Sequence, residues 1–395
     1  MDNDILNFEY YNPTKIIFGK DSIYKIKNLI NKNHKILVLI DSNAIESNSK
    51  LKHDLENFIA DYQHIIYYQT TINSEYAELL TIISLAKKEK ISYILAVGGG
   101  SVIDGAKFIA CAINYPPHLQ PWQLLKIEGY NLVKDIIPLG VILTLPASGS
   151  EMNPYFVISR KEHNLKIACY APMVYPKFAI LDPTYTFSLS KYQLALGIVD
   201  IFVHVLEQYV VINNYSKIQQ GFSETILKTL IKESLNAISH PTDYNVKANI
   251  MLSSTFALNG LIDCTVKSDW TIHWISHELT ALYGLSHAEA IVVLVKPLWE
   301  YTYKFKHQPL LRYAQKIWNI DISNPEYAIN LAINKTVLFF QSLGIKTTLK
   351  EFGITKLDIE KIIDNIFNFT NGNNLGESNL LTKQDIRNIL FLAIK

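Results

Sequence analysis

The chain has 395 residues, which suffice for two or three domains of roughly 100–200 residues each and exclude a small disulfide-stabilised fold. Its 37 basic and 36 acidic side chains leave a formal charge of +1, and neither sign forms a long block. We therefore expect neither a nucleic-acid partner nor binding to an anionic membrane surface. Three widely spaced cysteines without a C-x-x-C pair argue against a disulfide framework or a cysteine metal cluster. Residues 1–4 are acidic without an apolar signal core, and no stretch approaches about 18 uncharged apolar residues, so we expect a cytoplasmic protein.

The first half of the chain alternates short β-branched runs with helical patterns, which is typical of βαβ units and a mostly parallel sheet. The strand candidates are residues 36–40, 65–68, 93–97, 140–143 and 178–181, and helical patterns include residues 22–31, 48–62 and 75–88. After Asp182-Pro183 the pattern changes to successive helices up to Lys395. We therefore predict an α/β, Rossmann-like domain over residues 1–188 and an all-α domain over residues 189–395.

A glycine run connects one predicted strand to a predicted helix. Gly98, Gly99, Gly100 and Ser101 follow strand 93–97 directly. Glycines let the backbone approach a ligand closely, and the first amides of a helix favour an anion, so a pyrophosphate fits this site. The alternative is a tight turn with no ligand, because the spacing is not G-x-G-x-x-G. A second polar loop, residues 144–151, also follows a strand, and ligands of open α/β folds bind at such carboxyl ends.

Ionisable side chains interrupt two apolar helical patterns in the second half. Residues 194–207 are apolar nearly all round, yet they place Asp200 and His204 four apart on one face. Burying these groups is costly unless they pair with each other or bind a cation. His273 and His277 are likewise four apart on a second helical pattern, and His287 follows a predicted turn.

One carboxylate and three imidazoles from this half suit a divalent ion of the Fe²⁺ or Zn²⁺ kind better than Mg²⁺ or Ca²⁺. A packed core with an Asp–His hydrogen bond is the alternative. A zinc-protease motif is excluded, because H-E-x-x-H needs a histidine where Ala281 stands.

With these motifs the chain resembles the metal-dependent, iron-type (group III) alcohol dehydrogenases, in the branch of butanol dehydrogenases and broad aldehyde reductases. The resemblance extends from residues 12–19 through 98–107 and 144–151 to 375–377. It implies that His277 is a catalytic residue beside the nicotinamide and is not a ligand. The implied ligands of Fe²⁺ or Zn²⁺ are Asp200, His204, His273 and His287.

The same resemblance implies roles for residues of the first half. Asp104, Lys107 and Lys166 match positions near the nicotinamide ribose and the active site, with Asp104 and Lys166 as catalytic and cofactor-binding residues. Thr144 and Ser148 match the nucleotide loop, and Asn153 matches a position facing the substrate. Tyr155, Phe156 and Trp274 suggest an apolar substrate pocket.

One departure from the branch concerns the cofactor. NADPH-preferring members carry a glycine-rich turn after the strand that corresponds to residues 36–40, whereas this chain has Asp41-Ser42-Asn43. A carboxylate there accepts hydrogen bonds from the ribose hydroxyls of NAD and repels a 2′-phosphate. We therefore expect Asp41 to bind the ribose and NAD to be preferred over NADP. The alternative is that Asp41 only caps a turn.

The resemblance implies an NAD(P)-dependent alcohol dehydrogenase or aldehyde reductase acting on a small alcohol or aldehyde such as butanol or butanal, and aromatic-rich helices suggest a homodimer. Relatives with the same fold and metal set are glycerol dehydrogenase, glycerol-1-phosphate dehydrogenase and dehydroquinate synthase. A phosphorylated substrate would need a basic cluster at the metal, and only Lys267 lies near residues 273–287 in sequence. The alternative from another class is a nucleotide-binding regulatory protein without catalysis.

Overall fold

The computed structural model describes residues 4–71, 73–126, 129–370 and 372–395, so residues 1–3 of the acidic start lie outside the described residues. The chain forms two compact units. The α/β unit comprises Tyr11–Leu194 and Ser239–Asn259, and the helical unit comprises the described residues up to Tyr10 with Ala195–Ile238 and Gly260–Lys395. Within the described ranges, every helix is too short or too polar to cross a bilayer.

A six-stranded sheet forms the core of the α/β unit. Its strands are β1 (Lys15–Phe18), β2 (Lys35–Asp41), β3 (Gln63–Gln69), β4 (Tyr93–Gly98), β5 (Leu139–Leu143) and β8 (Phe178–Leu181). All the strand pairs are parallel, in the order β1-β8-β5-β4-β2-β3. A separate antiparallel hairpin consists of β6 (Tyr155–Arg160) and β7 (Leu165–Tyr170). The five predicted strands and the parallel sheet are confirmed, whereas β1 and the hairpin were not predicted.

Helices cover both faces of this sheet. They are α1 (Ser42–Ser47), α2 (Ser49–Ile59), α3 (Tyr76–Lys88), α4 (Gly100–Ala112) and α7 (Tyr244–Ala257). Leu37 and Leu39 of β2 pack into the core formed with α3 and α4, while the alternate residues Val38 and Ile40 pack into the core formed with α2. The strands are therefore apolar on both faces, as buried parallel strands must be. The helix predicted over residues 22–31 is a 3₁₀ segment, Ser22–Asn28.

The second half of the chain is helical, as predicted. Its helices are α5 (Lys191–Tyr209), α6 (Lys217–Ser239), α8 (Thr271–Tyr283), α9 (His287–Thr302), α10 (His307–Trp318), α11 (Pro325–Ser342), α12 (Ile359–Phe369) and α13 (Lys383–Ala393). Helix α7 groups with the α/β unit instead, where the Thr255 hydroxyl donates a 2.6 Å hydrogen bond to the buried carboxylate of Glu151. A division into folding domains near residue 188 stays a prediction.

Gly140 provides a test of packing in the sheet. A Cβ atom at this position in β5 would lie 2.3 Å from the ring of Phe178, which is buried in the adjacent strand. We expect Gly140→Ala to lower the free energy of unfolding by about 1–3 kcal/mol, because the core must be overpacked. Denaturant titration measures this change.

Gly221 in α6 provides the matched control, because a Cβ there meets no atom within 4 Å. We expect Gly221→Ala to raise stability by about 0.5–1 kcal/mol, since alanine loses less backbone entropy in a helix. Equal effects of the two substitutions would contradict the packing argument.

Candidate active site

Helix α5 carries polar groups along one stripe of an otherwise apolar surface. Asp200, His204 and Glu207 occupy positions i, i+4 and i+7, which lie on one helix face, and all three are buried. Their neighbours Ile201 and Phe202 are fully buried. The helix therefore presents two carboxylates and an imidazole inside the helical unit.

Helices α8 and α9 bring two further imidazoles to this stripe. His273 lies in the first turn of α8, and His287 begins α9 directly after the cap residue Ser286. Asp200, His204, His273 and His287 each offer a ligand atom, and these atoms all lie within 4.8 Å of one another. Asp200 Oδ1 is 3.3 Å from Nδ1 of His204 and 3.6 Å from Nε2 of His287.

These four residues fit a divalent metal ion. Ligand atoms at about 2.1 Å from a tetrahedral ion lie about 3.4 Å apart, close to the two distances from Asp200. Three imidazole nitrogens and one carboxylate oxygen are donors that suit Fe²⁺ or Zn²⁺. Burial lowers the pKa of His204 to about 4, which keeps its imidazole neutral, as a metal ligand must be.

Glu207 is a residue that the sequence did not single out. Its Oε2 accepts a hydrogen bond from Nδ1 of His273, and its Oε1 accepts one of 2.7 Å from the backbone N–H of Ile272. Burial raises the pKa of Glu207 well above its ordinary value. Its position one turn after His204 was the only sequence signal for it, because its partner lies 66 positions further on.

A buried lysine supports the same turn of α8. Lys306 contacts the carboxylate of Asp269, the carboxylate of Glu377 at 2.9 Å and the carbonyl of Val210 at 2.9 Å. The backbone N–H of Asp269 donates to the carbonyl of Glu207 at 3.0 Å. The ammonium thus has three partners inside the protein, and it ties the start of α8 to the end of α5.

His277 lies beside the cluster and is not part of it. It follows His273 by one turn of α8, is buried, and its ring centroid is 5.8 Å from that of His287. An imidazole in this position can exchange protons next to the four clustered residues.

In the α/β unit the glycine run forms the start of α4. Gly99 is the N-cap, and having no side chain it leaves the first helix amides to an anion. None of the three glycines 98–100 has a positive φ, so no unusual backbone conformation requires them. Gly100 instead lets the loop that carries Ser148 come close, because a Cβ at Gly100 would lie 2.5 Å from Oγ of Ser148. The two loops therefore pack together, and Thr144 N–H bonds the carbonyl of Gly98 at 3.1 Å.

Asp41 ends the strand next to the glycine run. Because Ile40 pairs with Val97, Asp41 and Gly98 are neighbouring positions at the carboxyl ends of β2 and β4. The strand order reverses between these two strands, which is where open α/β sheets bind ligands. Asp41 also caps α1, with Oδ1 accepting from the N–H of Asn43 at 2.9 Å and of Ala44 at 3.3 Å.

Asp104 belongs to a buried hydrogen-bond cluster on α4. Its carboxylate accepts from the Ser150 hydroxyl at 2.6 Å and from the N–H of Val157 at 2.9 Å. Burial raises the pKa of Asp104, and the nearby ammonium groups of Lys107 and Lys166 oppose this shift. The structure thus brings together Asp104 and Lys166, which lie 62 positions apart in sequence.

Lys107 shares a hydrogen-bond partner, Ser150, with Asp104, whereas Phe156 differs from what the sequence suggested. Nζ of Lys107 is fully buried and donates to Ser150 Oγ at 2.8 Å and to the carbonyls of Asn153 and Tyr155 at 2.8 and 2.7 Å. Burial lowers its pKa to about 7. Lys107 therefore fixes the loop before β6. Phe156 lies in the core of the α/β unit and does not line a pocket, because inward and outward residues alternate along β6.

Comparison with known families shows to which family this chain belongs. The profile described as "Iron-containing alcohol dehydrogenase" matches residues 13–183, and the profile described as "Fe-containing alcohol dehydrogenase family, C-terminal" matches residues 194–394. The chain belongs to the iron-containing alcohol dehydrogenase family. The family resemblance inferred from the sequence is therefore confirmed, and so is the fold class.

Similar members of the iron-containing alcohol dehydrogenase family come from several bacteria. The NADPH-dependent aldehyde reductase YqhD of Escherichia coli is 40% identical over 90% of this chain and 92% of its own length. NADH-dependent butanol dehydrogenase B of Clostridium acetobutylicum is 33% identical over 90% of this chain and 92% of its own length. A crystal structure of the Escherichia coli protein superposes with a TM-score of 0.94 at 37% identity, covering 98% of this chain and 99% of that one. The crystal structure of NADH-dependent butanol dehydrogenase A of Thermotoga maritima superposes with a TM-score of 0.90 at 30% identity, covering 99% of this chain and 99% of that one.

Removing the buried ammonium of Lys306 tests the network behind the cluster of Asp200, His204, His273 and His287. We expect Lys306→Met to lower the free energy of unfolding by about 3–5 kcal/mol, because Asp269 and Glu377 would lose their buried cationic partner. The exposed pair Lys383–Asp364 provides the control. Lys383→Met should change stability by less than about 1 kcal/mol. Denaturant titrations of the metal-free proteins make the comparison, and equal losses would contradict the role of Lys306.

Proposed function

We propose that this protein is a metal-dependent alcohol dehydrogenase and aldehyde reductase that transfers a hydride between a nicotinamide cofactor and a small alcohol or aldehyde, such as butanol or butanal. The observation that carries the proposal is the convergence of Asp200, His204, His273 and His287 in a chain that matches the family over nearly all its length. Both the butanol dehydrogenases and the aldehyde reductase among its relatives fit this reaction.

In this proposal the four converging residues hold one Fe²⁺ or Zn²⁺ ion. When bound, the metal supplies Lewis acidity at the substrate oxygen and the nicotinamide supplies or accepts the hydride. Asp200 contributes a negative charge that offsets the cation, and the three neutral imidazoles leave the site with net positive charge. His277 relays the proton between the alcohol oxygen and water, since it lies beside the ligands without being one of them.

The α/β unit provides the cofactor groups. The glycine run at the start of α4, Gly98, Gly99, Gly100 and Ser101, binds the pyrophosphate, and Thr144 and Ser148 contact the nucleotide from the adjoining loop. Asp104 and Lys166 act on the nicotinamide side. Each oxygen of Asp104 already accepts one hydrogen bond, and a carboxylate oxygen can accept a second one from a ribose hydroxyl.

Related activities are less well supported. A phosphorylated substrate, as in glycerol-1-phosphate dehydrogenase, needs cations free to bind phosphate. Lys306 has its three partners inside the protein, and Lys267 is an exposed side chain. A regulatory protein without catalysis is not favoured by a four-residue cluster with His277 beside it, because that arrangement provides a proton donor next to a candidate metal site.

We also propose a cytoplasmic homodimer. Large apolar side chains are exposed on α6 and α11, among them Phe222, Leu235 and Leu338. Apolar surface of this kind supports burial against a second copy. Light scattering should give twice the mass of one chain.

His287→Ala tests the metal assignment. We expect it to remove most bound metal and nearly all NADH-dependent butanal reduction, because losing one of four ligands disrupts the coordination geometry. Elemental analysis of anaerobically purified protein measures the metal and identifies it as iron or zinc. His277→Ala is the matched comparison: it should retain the metal and reduce turnover about 10²–10⁴-fold. Full metal content in His287→Ala, or metal loss in His277→Ala, would contradict the respective roles.

Asp41 tests the preference for NAD over NADP. The carboxylate of Asp41 and the 2′-phosphate of NADPH, taken as two unit charges about 5 Å apart, repel by roughly 3 kcal/mol at an effective dielectric near 20. If screening by salt halves this repulsion, the remaining energy corresponds to about a tenfold preference for NADH in kcat/KM. Asp41→Asn retains a capping side chain and removes the charge, so it should narrow the preference without loss of stability. Asp41→Ala should narrow it equally and also cost about 1 kcal/mol of stability. A wild-type enzyme that is more efficient with NADPH would contradict the proposal.

A further inference from the structure

Glu207 is a buried carboxylate that contacts one member of the metal cluster without belonging to it. Resting on the proposed function, we propose that Glu207 is the positioning residue for His273, so that metal affinity depends on a carboxylate that does not itself bind the metal. Three observations carry this inference: the choice of ring nitrogen, the anchoring of the carboxylate, and the network behind it.

The hydrogen bond to Glu207 selects the ligand atom of His273. Nδ1 of the ring lies within hydrogen-bond distance of Glu207 Oε2. Because a carboxylate oxygen can only accept, this contact assigns the ring hydrogen to Nδ1 and leaves Nε2 with the lone pair. The other ring nitrogen of a metal-bound histidine commonly donates to a carboxylate, which fixes the tautomer and raises the basicity of the ligand. Glu207 thus prepares Nε2 for a cation.

The carboxylate of Glu207 is itself held in place. Its Oε1 accepts the N–H of Ile272, the residue that precedes His273, at 2.7 Å. One side chain of α5 therefore binds both the backbone and the side chain of the same turn of α8. Consequently α5, the helix that also carries Asp200 and His204, fixes the orientation of the His273 ring.

The lysine network holds the segment leading into this turn. Asp269 donates its N–H to the carbonyl of Glu207 at 3.0 Å and accepts a hydrogen bond of 3.2 Å from the N–H of Thr271. Lys306 binds the Asp269 carboxylate and the Glu377 carboxylate, whose Oε2 accepts the N–H of Ile212 at 2.7 Å. These contacts fix the residues that directly follow α5 and the residues that directly precede α8, on either side of Glu207 and His273.

Glu207→Gln tests the inference, because the side chain keeps its size while an amide nitrogen replaces one of the two carboxylate oxygens. Glutamine can accept through only one atom, so one of the two hydrogen bonds, to Ile272 or to His273, is lost. We expect Co²⁺, added to the metal-free full-length protein, to bind about 10–100-fold more weakly, as measured by competition with a chromophoric chelator. The ligand-field absorption of bound Co²⁺ should shift as well. If Glu207→Gln is insoluble, Glu207→Asp, which withdraws the carboxylate by one methylene, takes its place with the same expected results.

Glu224→Gln is the matched control. Glu224 is also buried in the helical unit, where it binds Tyr209 and Arg312 and no ligand residue. We expect this variant to have a lower melting temperature and a Co²⁺ affinity within about threefold of wild type. A merely structural role for Glu207 would move the melting temperature alone.

The outcomes separate this inference from the proposed function. Wild-type Co²⁺ affinity and spectrum in Glu207→Gln would overturn the positioning role of Glu207 alone, as would an equal loss of affinity in Glu224→Gln. Wild-type protein that binds no Co²⁺, or binds it as tightly after His287→Ala, would overturn the metal assignment and this inference with it.

Discussion

Charged groups inside the helical unit must be paired, and this requirement determines which residues surround Asp200, His204, His273 and His287. A carboxylate buried among apolar helices costs several kcal/mol unless hydrogen bonds or an opposite charge replace the water it loses. Glu207 meets this requirement through His273 and Ile272, and Asp269 and Glu377 meet it through Lys306. The cluster of Asp200, His204, His273 and His287 is therefore one end of a polar network that extends through the interior of the unit.

The candidate site was predictable where its residues are neighbours in sequence. Helix geometry alone places Asp200 and His204 on one face of α5. Joining them with His273 and His287, and leaving His277 out, came from the family resemblance, because these histidines lie on two other helices. Glu207 and Lys306 were not identified, since their partners lie 66 and 37 positions away and only packing brings them into contact. The role of Lys107 was also not predictable, because its acceptors lie more than 40 positions away, in the loop before β6.

The fold was likewise predictable where a segment has a clear pattern in its own sequence, and not where it depends on distant partners. Long apolar strands such as β2 and β4 are recognisable because they are buried on both faces, and the glycine run marks where a helix follows. Strand β1 begins with a lysine and is only partly buried, unlike the equally short β8, which is apolar and buried throughout. The hairpin β6–β7 mixes charged residues with apolar ones, so neither β1 nor the hairpin gives a clear local pattern. Nothing in the local sequence of α7 shows that it joins the α/β unit, because that depends on distant partners such as Glu151.

The membership of α7 affects how this protein can fold while it is being synthesised. The polypeptide passes between the two units at four points, so neither unit is a single continuous segment. A multidomain chain ordinarily completes its N-terminal domain first, as that segment leaves the ribosome. Here the buried carboxylate of Glu151 receives the Thr255 hydroxyl only after more than a hundred further residues have been added. The α/β unit therefore stays incomplete on the ribosome until α7, which belongs to the second half of the chain, has been synthesised.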